Sequence, residues 1–234
     1  MKKLLCVLML LTALSLCDCG ADTPAATFCG TVVRVTDDAL LCAQGGDAGG
    51  LYFVSRDGAL ADCADDALAP GTILEMDYNG NQLDSYPARI GGAQAVRLTA
   101  GDDRVGLYLA IIDALWNMDA ALSDGARYLA LDLSAAENLS AGERAAVAYL
   151  ASCAYGVEPL EAGYDALCAQ SYIEGGAFPG GILVTFSDMR FGDDSFTFSV
   201  RTWCSGTAAY FFTHCAAQLT DGVWGYTLGG AAVS

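Results

Sequence analysis

The period of the hydrophobic pattern changes near residue 100, and this change constrains the fold more than any other feature of the sequence. Up to about Leu98, apolar residues come in short runs that are separated by turn residues. From Val105 they recur every three or four positions, which is the period of an amphipathic helix. We therefore expect a β domain over residues 27–99 and an α+β domain over residues 103–234.

The first of these regions reads as a set of short strands. Its apolar runs are β-branched or alternating, and Asp37-Asp38, Pro70-Gly71 and Asn79-Gly80 supply turns between them. Short strands at this spacing are typical of a small barrel or sandwich. We expect a small antiparallel β-barrel of the OB-like type.

The second region begins with helices and ends with strands. Asp102 or Asp103 can cap a first helix, Ser140 and Glu143 form a capping box for a second, and a third is predicted over Tyr164 to Gln170. Alternating apolar residues then predict strands around residues 182–186, 196–200 and 224–228. This order predicts an α+β domain whose helices pack on a C-terminal antiparallel sheet.

The N-terminus has the pattern of a secretory signal. Lys2 and Lys3 precede an uncharged run of thirteen residues, Leu4 to Leu16. A helix needs about 20 apolar residues to cross a membrane, so this run is too short to span one. We expect residues 1–21 to contain a signal peptide and the start of a tether, and we expect the protein to be extracytoplasmic.

Two cysteines follow the apolar run, and the segment resembles a bacterial lipoprotein signal, in which a small residue precedes the lipidated cysteine. Here Leu16 precedes Cys17 and Asp18 precedes Cys19. We expect lipidation of Cys19, with Cys17 as the alternative, and hence a membrane partner through a lipid anchor. Ordinary cleavage after Ala21, which would give a secreted protein, is the competing interpretation.

Composition excludes several functional classes. Hydrophobic residues make up 54% of the chain and charged residues 17%, so the chain is not a disordered acidic segment. The net charge of −17 argues against a nucleic-acid partner. Both lysines precede the apolar run, which excludes a catalytic lysine from the mature chain. One histidine and the absence of a Cys-x-x-Cys pair predict neither a metal site nor a cofactor.

Seven cysteines follow Cys19, an odd number at wide spacing. Cys153 and Cys168 fall on consecutive predicted helices, and a disulfide between them is one option. We favour the alternative that most of the seven are small buried apolar residues.

Candidates for catalysis are few. His214 lies in an apolar strand segment, where a hydrogen-bonded structural role is expected, although it is adjacent to Cys215 and near Ser205 in sequence. Paired aspartates such as Asp37-Asp38 fall at turns or helix starts, where aspartate is favoured for local hydrogen bonds. We expect no catalytic residue.

Trp203 and Arg201 are the candidate ligand contacts. Trp203 is out of phase with Phe196, Phe198 and Val200, so it should face away from their core. An exposed tryptophan beside an arginine suits a peptide or a sugar ring. The alternative is that a second layer of the protein covers Trp203.

Two short sets of motifs stand out in the sequence. The first set, in the first third of the chain, is Gly30-Thr31-Val32-Val33, Pro70-Gly71 and Ser85-Tyr86-Pro87-Ala88. It resembles the YobA-like family of uncharacterised exported proteins of Gram-positive bacteria, which implies export and a small β domain but no activity. The second set is Trp203-Cys204-Ser205-Gly206, Tyr210-Phe211-Phe212 and the ending Trp224 to Ser234. It resembles a module of uncharacterised lipoproteins of gut bacteria.

These features together predict an exported, lipid-anchored envelope protein that binds a protein, peptide or glycan through its C-terminal sheet without catalysis. An acidic surface favours basic or neutral partners. Two alternatives remain open. One is an extracellular hydrolase that uses paired carboxylates, or His214 with Cys215 or Ser205. The other is a structural surface lipoprotein without a ligand.

Overall fold

A computed structural model describes residues 26–46, 49–118 and 123–233. The predicted signal segment, with Cys17 and Cys19, lies outside these residues. Within them the protein is mixed α+β and mostly sheet, with 46% strand and 21% helix. The helices are α1 (Arg104–Trp116), α2 (Ala141–Tyr155) and α3 (Tyr164–Ala169).

The described strands form two sheets, which we call the N-terminal and the C-terminal sheet. The N-terminal sheet contains β1 (Ala26–Val35), β2 (Ala39–Gln44), β3 (Leu51–Ser55), β4 (Ile73–Tyr78), β5 (Gln82–Leu83), β6 (Ala88–Ile90) and β7 (Ala93–Thr99). The C-terminal sheet contains β8 (Tyr128–Asp132), β9 (Glu158–Leu160), β10 (Gly181–Phe191), β11 (Ser195–Ser205), β12 (Ala208–Thr220), β13 (Val223–Thr227) and β14 (Gly230–Val233).

The N-terminal sheet has the order β5-β6-β3-β2-β1-β4-β7. Only Gly91 and Gly92 separate β6 from β7, so the two strands form one nearly continuous segment. This segment pairs with β3 through β6 and with β4 through β7. The expectation of antiparallel pairing throughout is wrong at β3 and β6, which are parallel. The chain reaches β6 by way of β4 and not through a hairpin, and such a crossover connection permits parallel pairing.

The C-terminal sheet is a curled half-barrel with the order β13-β12-β11-β10-β8-β9, and β14 also pairs with β12. From β10 onward the pairing is antiparallel, as expected. The expectation of a wholly antiparallel sheet is wrong at β8, which is parallel to both β9 and β10. Helix α2 connects β8 to β9, and a helical crossover joins parallel strands.

Local capping explains where the long helices begin. Of the two aspartates that precede α1, Asp103 is the cap, and its carboxylate accepts a hydrogen bond from the Gly106 N–H at 2.8 Å. The predicted capping box of α2 is confirmed, because Ser140 and Glu143 each accept a hydrogen bond from the backbone N–H of the other. Gly156, in the left-handed region with φ +68°, ends α2.

One buried cluster crosses the predicted domain boundary. It contains apolar residues of β2 and β3, such as Leu41 and Leu51, together with residues of α1, α2 and the C-terminal sheet. Helix α2 contacts β2 and β3 on one side and β9 and α1 on others. The domain boundary between residues 99 and 103 stays a prediction. Because the β domain and the α+β domain share this cluster, burial of its apolar side chains stabilises both of them.

The first turn of α2 lies very close to the backbone of the N-terminal sheet. A Cβ atom at Gly142 would lie 2.3 Å from the carbonyl oxygen of Gln44 and 2.9 Å from that of Gly50. Only glycine fits this contact, since the neighbouring atoms are backbone and cannot rotate away. The sequence therefore tolerates glycine inside a helix, where it is ordinarily unfavourable.

Asp102 links the start of α1 to the last part of the chain. Its carboxylate accepts hydrogen bonds from Arg104 Nε at 2.7 Å and from Trp224 Nε1 at 3.0 Å. Partial burial acts to raise the pKa of Asp102, but the hydrogen bonds from Arg104 and Trp224 outweigh this, and the pKa lies below its ordinary value. The ionised carboxylate therefore stabilises the folded state.

The first testable prediction concerns Gly142. We expect Gly142→Ala to lower the free energy of unfolding by about 1–3 kcal/mol, because the added methyl group overpacks against backbone. Urea unfolding measures the change. The matched control is Gly45→Ala, where an added Cβ meets no atom within 4 Å, so stability should not fall. If Gly142→Ala is as stable as the unchanged protein, the close contact between α2 and β2 is refuted.

The second prediction concerns the pH dependence that Asp102 confers. Because its pKa is lowered on folding, its contribution is complete above the unfolded pKa of about 3.9 and is lost as the pH falls through the lower folded value. Asp102→Asn should cost about 1–2 kcal/mol at neutral pH. The deficit should be smaller in unfolding experiments at about pH 2 than at neutral pH.

Asp62 provides the control for this experiment, since its side chain is exposed. Asp62→Asn should leave stability unchanged at both pH values. An equal deficit of Asp102→Asn at neutral and acidic pH would contradict an electrostatic origin and would point to altered packing.

Candidate functional site

Trp203 lies on the opposite side of the sheet from the main core. Its ring contacts Tyr164 of α3 edge-on, with ring centroids 5.1 Å apart at an interplanar angle of 68°. It is partly buried and borders a small cluster that includes Leu167 and Phe178. Helix α3 therefore covers part of the ring, which fits a packing role for Trp203 better than an open platform. A ligand contact at Trp203 stays a prediction.

Arg201 lies in the row of residues next to Trp203. It is opposite Thr185 of β10 and Phe211 of β12. The Nε of Arg201 and the Oγ1 of Thr185 are buried, and neither has a hydrogen-bond partner among the residues described. A ligand contact at Arg201 likewise stays a prediction.

Two β-bulges interrupt the C-terminal sheet at the same level. On β10, Asp188 and Met189 oppose a single residue of β11, and on β12, Thr213 and His214 together oppose Ser199. Asp188 has φ +52° and His214 has φ +58°. A non-glycine residue in this region is held there at an energetic cost, and such residues cluster at functional sites.

Two adjacent depressions lie beside these bulges. The first has a volume of about 500 Å³ and is lined by Asp188, His214 and neighbouring hydroxyl-bearing residues. The second has a volume of about 720 Å³ and extends toward β13. Arg190 and Thr197 line both of them. We call the two depressions together the sheet groove.

The floor of the sheet groove combines small and hydroxyl-bearing side chains with a largely apolar surface. Arg190, Thr197, Ala216 and Thr227 oppose one another in register and form one row across β10, β11, β12 and β13. Side chains alternate along a strand, so residues two positions away from this row lie on the same face. Those residues are Ser195 and Ser199 on β11, Gln218 on β12 and Gly225 on β13.

His214 is exposed, which differs from the expected structural role within an apolar strand. The bulge places its ring Nδ1 3.2 Å from the hydroxyl of Thr213. The sequence pattern alone did not indicate the bulge, because the apolar run continues through it. The exposed imidazole lines the groove, and its side chain is available for hydrogen bonding to a ligand.

The structure does not support either nucleophile suggested for His214. Cys215 is fully buried, its Sγ accepts a hydrogen bond from Gly229, and burial raises the pKa of its thiol, which disfavours the reactive thiolate. Ser205 pairs with Ala208, six positions along β12 from His214, which corresponds to a separation of roughly 20 Å. The geometry therefore disfavours both pairings, and the hydrolase alternative stays a prediction.

Two further aspartate pairs of the sequence, Asp65-Asp66 and Asp102-Asp103, each contain a member with a structural contact. Asp65 forms an ion pair with Arg56 at 2.6 Å, and Asp103 caps α1. In the described part of the chain, no group of three or more histidine, cysteine or acidic residues is arranged to hold a metal ion.

Cys153 and Cys168 are free thiols, so no disulfide joins them. Of the seven cysteines in the described residues, only Cys42 and Cys215 are buried, so the expectation that most of the seven are buried apolar residues is wrong. Burial strongly raises the pKa of the Cys42 thiol.

Sequence reasoning missed a second surface, where the N-terminal sheet meets α2. Tyr149 of α2 contacts Phe53 and Tyr86 edge-on, with ring centroids 6.5 Å and 6.2 Å apart. Arg89 lies over the Phe53 ring at 5.1 Å. Tyr86 is 68% exposed and belongs to the Ser85-Tyr86-Pro87-Ala88 motif, which was the one signal in the sequence for this cluster.

No family model, no curated protein and no solved structure matches this chain at a significant level. The resemblances to the YobA-like family and to a lipoprotein module of gut bacteria stay predictions. Among the described helices, none has the length and apolar character needed to cross a membrane.

Proposed function

We propose that the protein is an exported, lipid-anchored envelope protein that binds a ligand in the sheet groove without catalysing a reaction. The observation that carries this proposal is the groove itself, which extends over four strands with Arg190 and Thr197 common to both of its parts. Two residues with positive φ, Asp188 and His214, lie at its edge. Each half falls within the range of about 300–1,000 Å³ that ligand sites usually occupy.

The lining favours a neutral glycan as the ligand. Hydroxyl groups of Ser195, Thr197 and Thr227 can both donate and accept hydrogen bonds, as sugar hydroxyls require. Gly225 and Ala216 place no large side chain in the groove, which leaves room for a sugar ring. A neutral ligand also avoids repulsion from a chain of net charge −17.

We further infer that the N-terminal sheet is an OB-like barrel. Support comes from the strand order, in which the β6–β7 segment pairs with both β3 and β4. OB-folds bind oligonucleotides and oligosaccharides on the outer face of their second and third strands. Here α2 covers β2 and β3, which supports placing the ligand on the other sheet.

Export and anchoring rest on the N-terminal sequence. The positive Lys2-Lys3 pair, the short apolar run and the following Cys19 support a cleaved signal and a lipid anchor. The proposed resemblances to exported YobA-like proteins and to gut-bacterial lipoproteins agree with this location.

The third prediction tests the groove. Thr197→Val removes one hydroxyl at nearly constant shape, and we expect it to weaken binding of neutral oligosaccharides about tenfold, the cost of one lost hydrogen bond. Calorimetric titration of the mature chain measures this. Thr220→Val, at an exposed position outside the groove lining, is the control and should bind normally.

His214→Gly complements this pair of variants. Glycine suits the positive φ of residue 214, so the variant should keep its melting temperature while it loses ligand affinity. Binding of peptides but not of oligosaccharides, abolished by Thr197→Val, would replace the glycan proposal with a peptide site. Unchanged binding in both variants would refute the groove, and turnover that His214→Gly abolishes would refute a non-catalytic role.

The fourth prediction tests export. Mass spectrometry of the native protein should find a chain that begins at Cys19 and carries a diacylglyceryl group. Cys19→Ala should release the protein from the membrane fraction, whereas Cys17→Ala should not. An unmodified chain that begins at Met1 would contradict export, and a cleaved chain without lipid would contradict only the anchor.

A further inference from the structure

A separate cavity lies at the carboxyl ends of the parallel strands β8 and β9. Asp132 is the last residue of β8, Ser134 follows two positions later, and Glu161 comes directly after β9. These three residues line the cavity together with Arg144 of α2. The carboxyl ends of parallel strands meet at one edge of a sheet, and ligands of α/β proteins commonly bind at such an edge.

The cavity is small. Its volume is about 220 Å³. Sites for drug-sized ligands start at about 300 Å³, so this cavity suits a smaller molecule. It shares no lining residue with the sheet groove. An inference about it is therefore independent of the proposed glycan site.

Opposite charges face this cavity without contacting each other. Arg144 Nη1 donates a hydrogen bond to the carbonyl oxygen of Leu139 at 2.6 Å. Within the described ranges, Arg144 and Glu161 form no ion pair with each other, whereas Arg56 and Arg104 each contact a carboxylate directly. Burial raises the pKa of Glu161, and the positive charge of Arg144 acts against this rise without cancelling it.

Asp132 is held in a fixed orientation. Its Oδ1 accepts hydrogen bonds from the Ser134 hydroxyl at 2.6 Å and from the Ser134 N–H at 3.2 Å. Its Oδ2 would lie 2.6 Å from a Cβ atom at residue 163, and this position is occupied by glycine. The cavity thus presents one guanidinium group and two carboxylates on separate structural elements.

We propose that this cavity binds a small free α-amino acid as a zwitterion. The ligand carboxylate pairs with the guanidinium of Arg144, whose planar fork matches a carboxylate. The ligand ammonium group donates hydrogen bonds to Glu161 and Asp132. The volume restricts the ligand to a short side chain such as that of alanine or serine.

The charge pattern selects a zwitterion over other small ligands. An anion would pair with Arg144 but would be repelled by Asp132 and Glu161. A cation would pair with the two carboxylates but would be repelled by Arg144. A zwitterion satisfies both signs and carries no net charge, so the acidic chain does not repel it over a long range.

The fifth prediction is the ligand test, performed on the full mature chain. Alanine and serine, added at millimolar concentration, should raise the melting temperature and give measurable heats of binding. Alaninamide lacks the carboxylate and propionate lacks the ammonium group, so both should fail to bind. This comparison needs no variant and therefore does not depend on whether a variant folds.

Variants then assign the two charges. Arg144→Gln and Glu161→Gln should each weaken alanine binding at least about tenfold, and Arg144→Lys should bind with intermediate affinity. Arg190→Gln, which alters the sheet groove, should bind alanine normally. The proposal is overturned if neither amino acid binds, if alaninamide binds as well as alanine, or if Arg190→Gln loses binding as Arg144→Gln does.

Discussion

The packing of α2 against the outer face of β2 and β3 determines which sheet surfaces remain accessible to solvent. Leu41 and Leu51 are buried in the same cluster as α1, α2 and the C-terminal sheet. Glycine at position 142 allows the backbones of helix and sheet to approach closely. This face of the N-terminal sheet is therefore covered by the protein itself. The outer face of the C-terminal sheet, by contrast, retains an open groove.

Positive charge is scarce in this chain, and its placement is informative. Arg56, Arg97 and Arg104 form ion pairs with carboxylates of the protein itself. Arg190 instead lines the sheet groove, and Arg144 lines the cavity at the ends of β8 and β9. In a protein with 28 acidic and 11 basic residues, an arginine on a cavity wall is a strong local attraction for an electron-rich ligand group.

Local signals in the sequence predicted local structure well. The capping box of Ser140 and Glu143 located the start of α2, and alternating apolar residues located β10, β11 and β13. The parallel pairs and the two bulges escaped prediction, because they depend on contacts between distant segments and on one extra residue in a strand. The candidate site was missed for the same reason. The bulges create the depression beside His214, whereas the sequence pointed to Trp203, which α3 partly covers.

The C-terminal sheet also contains the buried polar atoms that lack hydrogen-bond partners in the described residues, on Thr185, Arg201 and Thr202. Each such atom costs about 1–3 kcal/mol, a cost that most proteins avoid. Thr185 of β10 is paired with Arg201 of β11 on one side and with Asp132 of β8 on the other. Asp132 lines the small cavity. The strained residues of the sheet groove are farther along β10 and β12. Departures from local rules are expected at functional sites. Their concentration in this sheet, away from the well-satisfied helix starts, agrees with the proposal that the ligand sites lie here.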